Sequence, residues 1–250
     1  MLRVTIRLEL SAGTEGIALV KMEQGLDTAT CRQLVLGLEE ADAAEARAIV
    51  LTGTGDTFSP GADLARIVEG GARRIEEFLS ELSDALLAVF GFPRPVVAAV
   101  NGHATGFGLV LAAACDHRVA ADGEGRLGVP ELHRGVPFPL AALEILRCAY
   151  GTTPLPALAY GGAALTVAEA LARGLVDEVA PAEELRSRAV ELATRLAGLP
   201  AEAFAHTKAQ LRRPYHERIA ENRVSDDARV ERLWCAEKTL EVIKSSVDRS

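Results

Sequence analysis

PVVAAVNGHATGFGLVLAAACDHRVAADGEGRLGVPE, residues Pro95 to Glu131, is the stretch that decides how this chain folds. It opens with a β-branched apolar run, Val96, Val97 and Val100, that follows two prolines and predicts a buried strand. Asn101-Gly102 and the pair Gly106 and Gly108 around Phe107 then break the strand. Leu109 to Cys115 is apolar on every face, which predicts a helix buried in the core. A buried helix that starts at a glycine turn offers free backbone N–H groups and the positive end of its dipole. That is a place to hold negative charge. A second such turn lies upstream at Phe58-Ser-Pro-Gly-Ala-Asp-Leu, and a carboxylate, Glu131, closes the stretch.

Outward from this centre the pattern alternates strands and helices. Val4 to Leu10 and Ile17 to Met22 read as a strand hairpin, with a turn over Ser11 to Gly16. Asp27 or Thr28 caps a helix running to about Ala44, and Ala48 to Thr52 is a strand covered on both faces. Strand, helix, strand in this order predicts a right-handed parallel crossover. Asp63 starts a short helix, Ile75 to Phe90 forms an amphipathic one, and His117 to Ala120 is a further strand. Leu140 to Tyr150 is a helix, and Thr166 with Glu169 forms a capping box for another that stops at Gly174. Leu175 to Val179 is extended. Helices are expected over Ala182 to Ala197, Pro200 to Leu211 and Tyr215 to Ile243. The shift from mixed to helical pattern falls near residue 150.

Composition narrows the function. The chain has 250 residues, 49% hydrophobic and 25% charged, as expected of a globular protein. A net charge of −8 argues against nucleic-acid binding, which needs a basic face. Apolar runs fall short of the ~20 residues that span a membrane, and MLRVTIRLEL lacks the apolar core of a signal peptide. Four cysteines (Cys31, Cys115, Cys148, Cys235) are widely spaced and suggest neither a zinc site nor disulfides. The expected location is the cytoplasm, with no metal.

With these residues in view, the chain resembles the crotonase superfamily, the enoyl-CoA hydratase/isomerase family. The resemblance rests on five stretches in order: Gly53 to Leu64, Ala98 to Gly108, Ala114 to Ala120, Pro130 to Gly135 and Ala170 to Val179. It implies an α/β fold, a ββα spiral core over residues 1–195, and a C-terminal α-helical trimerisation region over 196–250. The implied assembly is a homotrimer or a dimer of trimers. The implied substrate is an acyl-CoA thioester; no cofactor is implied, because coenzyme A belongs to the substrate.

By motif position, the resemblance assigns an oxyanion hole to the backbone N–H groups of Ala62 and Phe107. Removing a proton next to a thioester builds an enolate whose oxygen needs preorganised donors. Gly61, Asp63, Leu64, Gly106 and Gly108 accompany these donors, with Asp63 also expected to cap the following helix. Phe107 and Phe138 are expected to shape the acyl pocket. Family hydratases carry two glutamates; this chain has Val110 at one position and Glu131 at the other. Losing a positioned acid/base typically costs ~10²–10⁴ in rate. A single carboxylate still suffices to take a proton from C2 and return it at C4, which moves a double bond from the 3 to the 2 position. Glu131, its pKa raised by an apolar pocket, is therefore the expected proton shuttle. Slow hydration, decarboxylation of a malonyl-type thioester, and a CoA-thioester-binding paralogue with little turnover are the alternatives. His133, two residues from Glu131, is a candidate to orient it or act as a second acid/base. Lys21 and Lys208 are candidates for the CoA phosphates, as are Arg66 and the Arg212-Arg213 pair.

Overall fold

The computed structural model describes residues 9–10, 16–23 and 25–247. Val4 to Leu8 and the turn over 11–15 lie outside the described residues; the rest of the expected hairpin is β1 (Glu9–Leu10) against β2 (Ile17–Lys21). The chain then repeats one unit three times: a strand in a large sheet, a strand in a small sheet, then helical structure. The first unit is β3 (Ala48–Thr52), β4 (Thr57–Ser59), α2 (Leu64–Glu69) and α3 (Gly71–Gly91), preceded by α1 (Thr28–Ala43). The second is β5 (Val96–Val100), β6 (His103–Thr105) and α4 (Phe107–Ala114). The third is β7 (His117–Ala121), β8 (Arg126–Gly128), a 3-10 turn η1 (Glu131–Arg134) and α5 (Leu140–Tyr150). The large sheet is completed by β10 (Glu178–Ala180) and the small one by β9 (Leu165–Thr166), giving orders β1-β2-β3-β5-β7-β10 and β4-β6-β8-β9. Both late strands follow the compositional shift near residue 150, so the sheets extend beyond it.

Strand periodicity sorts the side chains of the large sheet. Ala18, Val20, Ile49, Leu51, Val96, Ala98 and Val100 face the main core with α1, α3, α4 and α5. Ile17, Leu19, Ala48, Val50, Val97, Ala99 and Val119 face Ala189, Leu192 and Ala193 of α8 (Leu185–Ala197) on the other side. Both faces are apolar because both are covered, as parallel sheets require.

The corners between the sheets are held by Asn101. Its Oδ1 accepts from Gly53 N at 2.8 Å, and its Nδ2 donates to Gly55 O at 2.9 Å and Thr57 O at 3.2 Å. A Cβ at Gly102 would stand 1.7 Å from Asp56 O, so the next residue must be glycine for the two corners to nest. This is how the Asn101-Gly102 pair fixes the position of the turn that ends at Gly106.

The C-terminal helices correct two boundaries. Residues Ala201–Trp234 form one 34-residue helix, α9 (after α6, Leu155–Gly161, and α7, Val167–Ala172), that passes straight through Pro214. Proline removes one hydrogen bond, but contacts on both sides of it hold the helix to the core. Before it, Lys208 Nζ donates to Asp116 Oδ2 at 2.7 Å and Arg94 O at 3.1 Å, while Arg212 donates to Asp116 Oδ1 at 2.8 Å. After it, Arg218 pairs with buried Glu144 at 3.3 Å and Ile219 is buried. The helix then ends at Trp234, where no Gly or Pro signals a stop. Trp234 is fully buried, donates Nε1–H to Pro137 O at 3.1 Å and packs on Phe78, so the chain turns and restarts as α10 (Glu237–Val247). Among the described residues no helix is long and apolar enough to cross a membrane.

Asp116 also accepts from Val96 N at 2.8 Å, so one carboxylate ties α9 to two strands. Asp116→Asn leaves two buried cations without their counter-charge and is expected to cost about 3–5 kcal/mol. The measurement is urea unfolding, where the midpoint should fall with an unchanged slope; a loss below about 1 kcal/mol would contradict this account.

Candidate active site

The two glycine turns singled out in the sequence meet face to face. Leu26 N donates to Gly61 O at 2.8 Å and Asp63 N donates to Leu26 O at 2.9 Å. In extended backbone these groups share one side, so the N–H of the intervening Ala62 points to the other. A Cβ at Gly61 would stand 2.6 Å from Thr105 O and 3.3 Å from Phe107 N, which places the turn directly against the start of α4. Thr105 Oγ1 reinforces the contact, donating to Pro60 O at 3.0 Å. Phe107 is the first residue of α4, so its N–H has no acceptor within the helix.

Gly106 makes this entry possible. Its φ of 60° and ψ of −133° belong to a region that only glycine enters readily. A Cβ there would also lie 2.5 Å from Glu131 Oε1, so the carboxylate rests directly over the Gly106 backbone. Gly108 is equally constrained, because a Cβ would meet Ser59 O at 2.3 Å.

Glu131 opens η1 and is 5% exposed. The turn is closed by Gly135 in the left-handed region at φ 74°, and Val136 N returns to Glu131 O at 2.9 Å. Burial pushes the carboxyl up to about 7, and this outweighs three opposing influences: its own N–H, the Arg134 charge and the Phe107 N–H. Glu131 Oε2 is buried and makes no hydrogen bond among the described residues. A buried carboxyl with one oxygen unbonded among the described residues, facing a helix N-terminus, is suited to exchange a proton.

These groups line one narrow cleft, walled by Pro60, Ala62, Leu64, Gly106, Phe107 and Glu131, with Arg134 and Val136. Asp63 caps α2, accepting from Arg66 N at 3.1 Å, as the sequence suggested. Phe107 and Phe138 are buried edge to face, with centroids 6.3 Å apart and planes at 80°. Val110 is fully buried in α4, so no second carboxylate stands at that position. Arg134 was not recognised from sequence, although its signal was there. In a 3-10 turn residues three apart align, which sets Arg134 beside Glu131.

Two candidates are placed elsewhere. The His133 ring turns away from the carboxylate: its Nε2 contacts Tyr160 O at 2.8 Å, and its ring fills the space beside Gly162. Lys208 is buried in the ion pair with Asp116 rather than held at the surface, and burial pushes its ammonium down to about 8 despite that partner. Arg212 shares the same carboxylate. Arg66 is tied to Asp27 at 3.1 Å, and Lys21 stands half-buried at the end of β2.

The description of the enoyl-CoA hydratase/isomerase family matches residues 12–244. The chain belongs to that family. It is 40% identical over 154 residues to a putative enoyl-CoA hydratase of Thermus thermophilus, covering 60% of each chain. It is 34% identical over 150 residues to an enoyl-CoA isomerase/hydratase of Mycosarcoma maydis, covering 60% of this chain and 55% of that one. The matched region thus spans less than two thirds of these curated relatives. Among solved structures, human mitochondrial delta3-delta2-enoyl-CoA isomerase superposes with a TM-score of 0.92 at 24% identity, over 97% of this chain and 96% of the other. A Mycobacterium tuberculosis protein, described in one structure as an enoyl-CoA isomerase and in another as a probable enoyl-CoA hydratase, gives 0.76 at 29%, over 89% and 95%. The crotonase fold expected from the motifs is therefore the fold of this chain.

The raised Glu131 carboxyl has a consequence for stability. Between pH 4.5 and about 7 the folded chain keeps a proton that the unfolded chain has released, so stability falls as pH rises through that window. Glu131→Gln removes this dependence. Its stability relative to the parent should climb across the window and level above pH 7, by on the order of 3 kcal/mol. Denaturant unfolding at pH 5 and pH 8 reads the difference; an identical difference at both would contradict the buried carboxyl.

Proposed function

We propose that the chain is an acyl-CoA isomerase that moves a 3-enoyl-CoA double bond to the 2 position, with Glu131 carrying the proton. The observation that supports it most is the lone buried Glu131 carboxylate, with apolar Val110 where a second acid would stand. The thioester carbonyl oxygen accepts from the Ala62 and Phe107 N–H groups. Glu131 Oε2 takes a proton from C2; the C–H electron pair moves into a dienolate whose negative oxygen those donors hold. The same proton then passes from Glu131 to C4 as the carbonyl and a C2–C3 double bond form. Nothing is consumed and no water is required. Hydration needs a second group to position and activate water, and the cleft offers none beside Val110.

The test is an assay of 3-enoyl-CoA isomerisation and 2-enoyl-CoA hydration, wild type beside Glu131→Gln. The expected outcome is fast isomerisation, slow hydration, and loss of isomerisation by ~10²–10⁴ in the variant. Brisk hydration by the wild type would overturn it. Isomerase activity that survives Glu131→Gln would point instead to chemistry run by the two donors alone.

The pH profile is a separate check. Only the ionised carboxylate can take the proton, so kcat/KM should rise with pH up to a plateau, with an apparent pKa near 7. A profile flat from pH 5 to 8 would exclude Glu131 as the base.

A further inference from the structure

The small sheet runs β4-β6-β8, so the strand that leads to Phe107 lies between the strands that lead to Ala62 and to Glu131. Its last residue, Thr105, borders both neighbours. On one side Thr105 pairs with Gly128 of β8, and the N–H that follows, from Gly106, donates to Gly128 O at 2.8 Å. On the other side the paired register with β4 ends one residue earlier, at Ser59 and Ala104, after an irregularity between Thr57 and Ser59. Pro60 comes next and has no N–H to carry the ladder further. Beyond that point, the hydrogen bond that joins the two turns among the described residues comes from a side chain: Thr105 Oγ1 donates to Pro60 O at 3.0 Å.

This bond sits where the backbone has least rigidity of its own. Pro60 O belongs to the peptide that enters Gly61, whose φ is 83°, and the Ala62 N–H lies one peptide further on. A glycine does not by itself fix the plane of the peptide after it. Contacts from outside the turn have to do so. Leu26 bonds Gly61 O and Asp63 N, and so sets the direction in which the Ala62 N–H points. Thr105 bonds Pro60 O from a position two residues before Phe107, and so sets how far the Ala62 N–H stands from the Phe107 N–H. Donors that share one oxygen must each come within about 2.7–3.1 Å of it, so their separation matters as much as their presence. Pro60 is exposed and Thr105 half-buried, so water can take the place of a lost hydroxyl. Losing the bond then costs position rather than folding.

We propose that Thr105 is a positioning residue for the reaction, its hydroxyl setting the separation of the Ala62 and Phe107 N–H groups. The inference rests on the proposed function, because it takes from it the one carbonyl oxygen that both donors share. In this role the hydroxyl acts through the two backbone donors and exchanges no proton.

The test compares the wild type with Thr105→Val, which keeps a β-branched strand residue but removes the hydroxyl, and with Thr105→Ser, which keeps the hydroxyl. One readout is 3-enoyl-CoA isomerisation. The other is the infrared carbonyl stretch of bound hexanoyl-CoA labelled with carbon-13 at the thioester carbon. That probe has no double bond to move, and its stretch drops in frequency as hydrogen bonds to the oxygen strengthen. In Thr105→Val, kcat should fall about tenfold with KM changed by less than about twofold, a smaller loss than the ~10²–10³ of removing a donor outright. The carbonyl stretch should move at least half-way back to its value in free hexanoyl-CoA, with the urea midpoint unchanged. Thr105→Ser should regain kcat to within about threefold of the wild type, together with the wild-type stretch. A valine variant within about twofold of the wild type in kcat would overturn the proposal. So would a fall in kcat with an unchanged stretch, or a serine variant as impaired as the valine one. Should Thr105→Val not fold, Thr105→Ala gives the same two readings without added bulk. A wild type that shifts the carbonyl but does not isomerise would end the isomerase reading, and the stretch would still decide the role of Thr105. A wild type that leaves the carbonyl at its free value would overturn the donor pair and this proposal with it.

Discussion

A carboxylate buried against the N-terminus of a buried helix is the interaction on which this molecule turns. Glu131 lies over the Gly106 peptide so closely that no side chain fits beneath it. The arrangement is a balance. Removal from water disfavours the charge, while the N–H groups and dipole at the start of α4 favour it. Burial wins, and the carboxyl is left close to neutrality in pKa. A fully solvated glutamate would be a weak base at neutral pH, and one buried without these donors would hold its proton too firmly to act.

The rest of the fold exists to hold that approach fixed. Three ββα units stack so that the corners between the two sheets nest, with Asn101 bridging the first corner and the second. Each corner delivers one working part: Gly61-Ala62 after β4, Gly106-Phe107 after β6, Glu131 after β8. At the far end of α4, Asp116 gathers Lys208 and Arg212 and so anchors the long helix α9. Both ends of α4 are thereby met by a carboxylate, one at the candidate site and one in the structural ion-pair cluster. The contrast shows what burial alone does not decide. Asp116 is balanced by two cations and joins elements, whereas Glu131 has an oxygen without a partner among the described residues.

The apolar replacement at Val110 shapes the chemistry as strongly as the acid does. In the proposed reaction, with no acid on α4 to position water, the proton that Glu131 takes returns to the substrate. Family membership alone spans both hydration and isomerisation, so the choice rests on this local composition rather than on the fold.

Much of this was written in the local sequence. Apolar runs gave the strands, and all-round hydrophobicity marked α4 as buried. Glycines and one asparagine marked the turns, because backbone in positive φ or in close contact tolerates little else. What the sequence could not express was which charges would find one another. Lys208 looked like a surface cation, yet it is 92 residues from the Asp116 that holds it in the core. His133 stands beside Glu131 in the chain but turns to a carbonyl 27 residues away. Two helices were expected, ending at Leu211 and restarting at Tyr215; one continuous helix runs through Pro214 between them, held by tertiary anchors on both sides. Local propensity is set by neighbours along the chain, whereas ion pairs and burial are set by neighbours in space. The sequence by itself therefore determined the large-sheet strands, the buried helix and the three turns that build the cleft, with the ββα core implied by the family resemblance; only the tertiary structure decided which charges pair and which stand unpaired there.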